Sequence, residues 1–368
     1  MSRMMGNCQV RFLGEEDTAT CASLPAIDHE ALLQKLNIKG KVRRQVKSWL
    51  KSGVIDDGMF TATSEGTPQG GVISPLLANI ALHGLENTLR EYARTIDLKD
   101  KRGMQVSWLM KEKSLSFIRY ADDFVCMHKD KLVVQRCREI ISEWLVGMGL
   151  ELKPEKTRLT HTFKDELSED GKAGFDFLGH HIQQYPAGKH RSSLNLQHEI
   201  LGFNTIITPN KKSSKAHQEE IGRIIKKHRS SPQSALIRDL NPVIRGWTSF
   251  YTKSDAKTVG ELSKQDYLTY LKLRCWAKHR CGNIKAGHQL YRHSMGGDNW
   301  VFSTREEGAN PLRLLTHREF ECGSNDYVKV KGDKSPYDGD LVYWSSRMGK
   351  NPDLPSRISI SCQTSKLH

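Results

Sequence analysis

Apolar positions along this chain recur at two spacings, and the switches between them mark its elements. Around Ser114–Arg119 and Phe124–His128, two β-prone runs flank the tetrapeptide Tyr120-Ala121-Asp122-Asp123. That pattern predicts a hairpin with an acidic tip. Upstream, the spacing is helical: Ser74 is a candidate N-cap, Pro75 fits a first turn, and Leu76, Leu77, Ile80, Leu85 and Leu89 form one apolar stripe. Downstream, Asn241 and Pro242 open a second amphipathic stretch. Its apolar face carries Val243, Ile244, Trp247, Phe250 and Tyr251 at helical spacing. Trp247 and Tyr251 are expected to pack in a core rather than stack on a ligand. Lys211–Lys215 and Asp165–Gly174 read as exposed loops. No apolar run approaches the ~20 residues needed to span a bilayer.

The acidic tip is the first candidate for chemistry. Adjacent carboxylates repel unless a cation neutralises them. Hard oxygen ligands suit Mg²⁺, which leaves coordination room for substrate phosphates. Asp122 is the first candidate ligand and Asp123 the second. An ordinary solvated Asp-Asp turn fits these four residues equally well. Before the first helix, Glu65-Gly66-Thr67-Pro68-Gln69-Gly70-Gly71 forms a Gly-rich loop whose backbone could approach a ligand closely.

Two further stretches complete a recognisable order: Gly149-Leu150-Glu151-Leu152-Lys153-Pro154-Glu155-Lys156-Thr157, then Gly174-Phe175-Asp176-Phe177-Leu178-Gly179-His180. With the Gln-Gly-Gly loop and the acidic hairpin, they resemble the reverse transcriptase and maturase proteins encoded by group II introns. The resemblance extends through Leu240–Tyr251, similar to the family's maturase or thumb domain, and covers about residues 27–350. It implies an α+β fold: a reverse transcriptase palm of antiparallel sheet and packed helices, then a mainly helical thumb. The implied layout is an atypical segment 1–26, a partial palm 27–185, a basic thumb/maturase domain 186–295, and a C-terminal extension 296–368. By this resemblance Asp122 and Asp123 hold catalytic Mg²⁺. Gln69, Gly70, Tyr120 and Lys156 line the nucleotide pocket, and Phe177, Leu178 and Gly179 grip the primer. The implied partners are intron RNA, a DNA primer or target, and deoxynucleoside triphosphates. The implied activity is RNA-directed DNA polymerisation.

Charge agrees with a polyanionic partner. The chain carries 56 Lys+Arg against 42 Asp+Glu, a formal net charge of +14. Between Pro186 and Trp300 the count is 20 Lys+Arg against 8 Asp+Glu, so this segment holds most of the excess. Such a stripe favours nucleic acid through counterion release. Lys211, Lys212, Arg223, Lys226, Lys227, Arg229 and Arg245 are the candidate RNA contacts. The eight cysteines form no dense framework, which suits free thiols in a reducing compartment. No secretory signal is visible, so a cytoplasmic setting is expected. Cys275, Cys281, His288 and His293 have a C-x5-C-x6-H-x4-H spacing. It departs from the usual zinc pattern, so zinc is not expected. Late cysteines are limited to Cys322 and Cys362, so the paired cysteines of an HNH nuclease domain are not expected.

The pattern departs from the family before Ile27. The family's helix is present at Asp28–Leu36, but the preceding stretch reads Leu24-Pro25-Ala26-Ile27. Pro25 stands in the slot read as that of the first metal-binding Asp, and proline supplies no ligand. Asp28 lies an odd offset away, which in a strand points to the opposite face. The fingers have no visible counterpart, as in the C-terminal portion of a longer protein. An incomplete two-metal site is therefore expected. The alternatives to a polymerase are a splicing factor that binds RNA without polymerising, or an inactive remnant.

Overall fold

The computed structural model describes residues 8–12, 27–52, 54–56, 59–61, 74–100, 102–154, 156–188, 192–194, 198–295, 297–304, 311–320, 334, 338–340 and 342–344. For 8–12, 54–56, 59–61 and 74–75 the description is of the backbone. Chain order begins with β1 (Cys8–Phe12), α1 (His29–Lys35), α2 (Gly40–Leu50), β2 (Val54–Asp56), β3 (Met59–Thr61), α3 (Ser74–Leu82) and α4 (Leu85–Thr95). It continues through α5 (Trp108–Ser114), β4 (Ser116–Tyr120), β5 (Asp123–His128), α6 (Lys131–Val146), β6 (Thr157–Thr160), β7 (Phe175–Phe177), β8 (His180–Pro186) and β9 (Phe203–Pro209). Four helices follow, α7 (Lys211–Lys227), α8 (Gln233–Tyr251), α9 (Glu261–Cys281) and α10 (Ile284–Tyr291), then the hairpin β10 (Arg292–Met295) and β11 (Asp298–Phe302). The fold is α+β, as expected.

β4, β5, β1 and β6 lie side by side in that order, and every pairing is antiparallel. Strand alternation gives β5 two different faces. Phe124 and Cys126 join a core with Leu32, Leu33, Leu85, Leu89 and Ile141 from the helices. Val125 and Met127 face the other way and pack with Phe175, Phe177 and Ile182 of β7 and β8. β5 is thus buried on both sides, which fits its near-continuous apolar run. The central position beside β5 belongs to Cys8–Phe12, a stretch that the sequence pattern assigned to no element.

Several local expectations need correction. The stripe from Leu76 to Leu89 is two helices, because Gly84 takes a left-handed φ of +97° between them. Leu77, Leu85 and Leu89 are buried, but Leu76 is 57% exposed. Lys211–Lys215 is the first turn of α7, not a loop. Asn210 caps it by accepting the Ser213 amide at 2.7 Å, and buried His217, Gln218 and Ile221 hold the helix down. Asp165–Gly174 is a mostly exposed loop, as expected, and carries a 3-10 turn, Asp165–Leu167. Asp165 accepts the Ala173 amide at 2.6 Å, and Ser168 and Ala173 are buried.

α8 begins at Gln233 rather than Asn241, and Pro242 lies inside it. Its buried stripe is Leu236, Ile237, Leu240, Ile244, Thr248 and Tyr251. Four aliphatic side chains outweigh the one ladder hydrogen bond that proline removes. Asn241 does not cap; its amide donates to the Arg313 carbonyl at 3.0 Å and its carbonyl accepts the Leu315 amide at 2.9 Å. Tyr251 is buried as expected and Trp247 packs beside it, but Phe250 is 56% exposed.

The expected break after residue 185 falls within the sheet β7-β8-β9, and the one after residue 295 falls between β10 and β11. Phe302 and Leu314 enter the core of the helical region with Ile221, Leu236 and Trp276. The compact unit runs through Cys322, and a second unit spans Gly323–His368. In that second unit Lys334 pairs with Asp340 at 2.6 Å. No helix among the described residues is long and apolar enough to cross a membrane.

Candidate active site and nucleic-acid interface

The acidic hairpin forms as the sequence pattern predicts. Tyr120 pairs with Asp123, leaving Ala121 and Asp122 as a two-residue turn. Ala121 adopts φ +52°, a conformation in which a small side chain is least hindered. Arg119 holds the turn from below: one guanidinium nitrogen donates to the Ala121 carbonyl at 2.8 Å and to Asn79 Oδ1 at 3.0 Å. Asn79 lies on α3, so the acidic turn is pinned to the helix that follows the Gln-Gly-Gly loop. Asp122 and Tyr120 project into solvent at the tip. Asp123 opens β5 and, by strand alternation, shares the face of Val125 and Met127.

β1 runs beside this hairpin, with Phe12 opposite Phe124, so the chain leaves β1 at the acidic end of β5. Lys156 sits just before β6, which pairs with the other edge of β1. Gln69, Gly70 and Pro25 lie outside the described residues. Asp28 is occupied elsewhere: its carboxylate caps α1 by accepting the Ala31 amide at 2.7 Å. The two tip carboxylates are hard oxygen donors and fit Mg²⁺ in kind. Among the described residues no group of three or more His, Cys, Asp or Glu is arranged around a metal position. That includes the cysteine and histidine set, with Cys275 and Cys281 on α9, His288 on α10 and His293 on β10.

Phe177, Leu178 and Gly179 form the turn between β7 and β8. Leu178 and Gly179 both have positive φ, +47° and +78°, as a two-residue type I′ hairpin requires. The Gly179 carbonyl accepts two hydrogen bonds, from the Asn210 amide at 2.9 Å and the Tyr251 hydroxyl at 3.0 Å. His180 lies against Phe250 and Tyr251, with ring centroids 5.2 and 4.9 Å away. Burial pushes the His180 imidazole below its usual range and favours the neutral ring. This hairpin therefore covers the second face of β5 with one side and is fastened to α7 and α8 by its tip.

The basic candidates divide by their partners. On α7, Arg223 pairs with Glu220 at 2.6 Å and Lys227 with Asp239 at 3.3 Å. Arg229 contacts His279. Lys211, Lys212, Lys226 and Arg245 are exposed. Arg223, Lys227 and Arg229 are thus already engaged within the molecule, which lowers their worth to a phosphate.

Comparison with known proteins decides the family. The reverse transcriptase (RNA-dependent DNA polymerase) profile matches residues 26–182. The group II intron, maturase-specific domain profile matches residues 214–294. The chain belongs to the group II intron reverse transcriptase/maturase family. "Protein YkfC" of Escherichia coli (strain K12) is 36% identical over 178 residues, 42% of this chain and 43% of that protein. "Group II intron-encoded protein LtrA" of Lactococcus lactis subsp. cremoris is 28% identical over 199 residues, 41% of this chain and 33% of that protein. An "Uncharacterized 91 kDa protein in cob intron" of Schizosaccharomyces pombe is 22% identical over 287 residues, 65% of this chain and 34% of that protein. The matches thus span less than half the length of each of these relatives.

Within this reverse transcriptase/maturase frame, the resemblance pointed to the tip carboxylates and to the Phe177–Gly179 turn. The resemblance gave no role to Arg119, Asn79, Asn210 or His180, which hold these turns in place. Arg119 had one local signal, its position directly before the acidic tetrapeptide. The other three are brought to the site by tertiary packing.

Proposed function

We propose that this chain is an intron-RNA-binding maturase protein that carries an RNA-directed DNA polymerase site at the Tyr120–Asp123 hairpin. The observation that carries the reading is shared placement on one sheet face. Asp123 lies on the face of β5 that the Phe177–Gly179 hairpin covers, so the tip carboxylates and the grip turn meet one substrate from the same side. Asp122 and Asp123 would hold Mg²⁺, which when bound would acidify the primer 3′ hydroxyl and neutralise phosphate charge. The reaction forms a bond from the primer 3′ oxygen to the α-phosphorus and breaks the bond to pyrophosphate. Gln69 and Gly70 would shape the nucleotide pocket beside Tyr120. Phe177, Leu178 and Gly179 would set the primer end, and Lys156 would meet the leaving phosphates. The exposed cations of α7 and Arg245 would hold intron RNA in a cytoplasmic setting.

Primer extension on an RNA template tests the reading. Asp122→Asn sits in an exposed turn, so it should leave folding and RNA binding unchanged while lowering nucleotide incorporation more than 100-fold. Equal incorporation by wild type and variant would overturn the assignment of the site. A second reading, RNA binding in splicing without polymerisation, is favoured by Pro25 in the slot read as that of the first metal ligand. It would stand if the wild-type chain binds structured RNA tightly and incorporates no nucleotide.

A further inference from the structure

A second aromatic and basic surface lies outside the basic helix α7. Tyr267, Tyr270, Arg274 and Lys278 share one face of α9, at spacings of three, four and four residues. Tyr267 and Tyr270 lie nearly parallel with centroids 6.4 Å apart. The Tyr270 ring meets His288 of α10 edge-on at 6.0 Å, and His288 meets Trp300 of β11 at 6.2 Å. Three elements thus contribute one continuous run of rings. Tyr267 and Trp300, at its two ends, are 60% and 58% exposed.

The run is built rather than incidental. Gly287 brings α10 against α9 so closely that a Cβ there would meet the Ala277 Cβ at 2.9 Å. Trp300 takes φ +63°, a backbone state that bulky residues avoid, and Arg292 fixes it by donating to its carbonyl at 2.8 Å. The same guanidinium lies 4.6 Å from the Tyr270 ring centroid. Bulky residues held in such conformations concentrate at functional positions.

Charge identifies the occupant. From Tyr267 to Trp300 the chain has six Lys+Arg and one acidic residue, Asp298. Burial, with Arg292 and Arg274 nearby, holds the His288 imidazole below its usual range. Unlike Arg223 and Lys227 of α7, the cations Arg274, Lys278 and Arg292 have no carboxylate within ion-pair distance among the described residues. Exposed rings beside unmatched cations suit nucleic acid, in which bases offer π-faces and phosphates offer charge. A duplex keeps its base faces covered, so only unpaired bases can use such rings.

We propose that this face is a stacking platform for unpaired RNA bases, with Tyr267 and Trp300 as the contacting rings and Arg274 and Lys278 meeting the sugar-phosphate chain. Arg292 is a positioning residue that sets Trp300. The proposal rests on the RNA-binding reading above and adds the form of RNA recognised and where it binds.

Fluorescence anisotropy with two labelled RNAs of equal phosphate count tests it: one an unstructured strand, the other a fully paired hairpin. Tyr267→Leu with Trp300→Leu keeps apolar bulk and removes both rings. The double variant should lose tenfold or more in affinity for the unstructured RNA and stay within twofold of wild type for the duplex. Its dependence of log K on log salt should be unchanged, because no phosphate contact is removed. Trp300→Phe should restore most of the Trp300 share, and matched thermal unfolding checks folding. Equal loss on both RNAs, or no loss on either, overturns the platform while leaving RNA binding intact. Unchanged RNA binding with a shift from dimer to monomer would assign the face to a second copy of the chain and overturn it too. A wild-type chain that binds neither RNA overturns the RNA-binding reading itself, and this proposal with it.

Discussion

Tyr251 places one hydroxyl where the turn between β7 and β8 needs it. Its bond to the Gly179 carbonyl is shared with the Asn210 amide, so Tyr251→Phe leaves that carbonyl still satisfied. The expected cost is about 1 kcal/mol, read by chemical denaturation. Gly179→Ala should cost more, because φ is +78° and the new Cβ would meet the Tyr251 oxygen at 3.0 Å. A loss equal to or smaller than that of Tyr251→Phe would show that the turn is not held as described. His217 is a second residue whose role comes wholly from packing. It stacks on Trp247 with centroids 4.5 Å apart and meets His317 at 2.8 Å between their Nε2 atoms. His317 Nδ1 in turn lies 2.7 Å from Asp266. Burial pushes the His217 pKa from 6.5 down to about 3, with His317 and Lys272 adding to the shift. As pH falls, the unfolded chain therefore takes up this proton before the folded chain does. Stability from this group is full above about pH 6.5 and declines by about 1.4 kcal/mol per unit below it. His217→Gln should remove that slope, measured as urea midpoints at pH 7.5 and pH 5.5. An unchanged slope would place the acid sensitivity elsewhere. The sequence offered no signal for this cluster, since His217 and His317 are 100 residues apart.

At the scale of elements, propensity and burial disagree at Pro242, and burial prevails. Its ring is exposed and its helix is anchored by Leu236, Ile237, Leu240 and Ile244 on the other side. Pro242→Ala restores a ladder donor and should stabilise α8 by about 1–2 kcal/mol, after some loss of unfolded-state restriction. A lower unfolding midpoint would mean that the proline is held by contacts of its own. Gly287 is the converse case. There the close approach of α10 to Ala277 excludes any side chain, and Gly287→Ala should cost about 1–3 kcal/mol through overpacking. The acidic hairpin was legible because both its strands and its turn are local. The helix start at Asn241 and the loop at Lys211–Lys215 were misread because the residues that hold those helices are buried by distant elements. Leu236 and His217 contact other helices, and their sequence neighbours do not announce it.

For the whole molecule, the uneven charge predicts how binding responds to salt. If the exposed cations of α7 carry intron RNA, then charge reversal at Lys226 should weaken binding and reduce the slope of log K against log salt by about one. Reversal at Arg223, already bound to Glu220, should have the smaller effect. Equal effects would mean that the Glu220 pair opens on binding. The order of motifs along the chain sufficed to determine the family, the α+β class and the acidic pair, because those depend on residue type and local spacing. It also placed the hairpin turn between β7 and β8, whose two positive-φ positions lie side by side at Leu178 and Gly179. Tertiary structure alone decided that Cys8–Phe12 fills the sheet centre and that Trp300 reaches the ring run of α9. In each case the deciding partner is far away in sequence, and only the packed chain brings hydrogen-bond geometry and burial to bear on the choice.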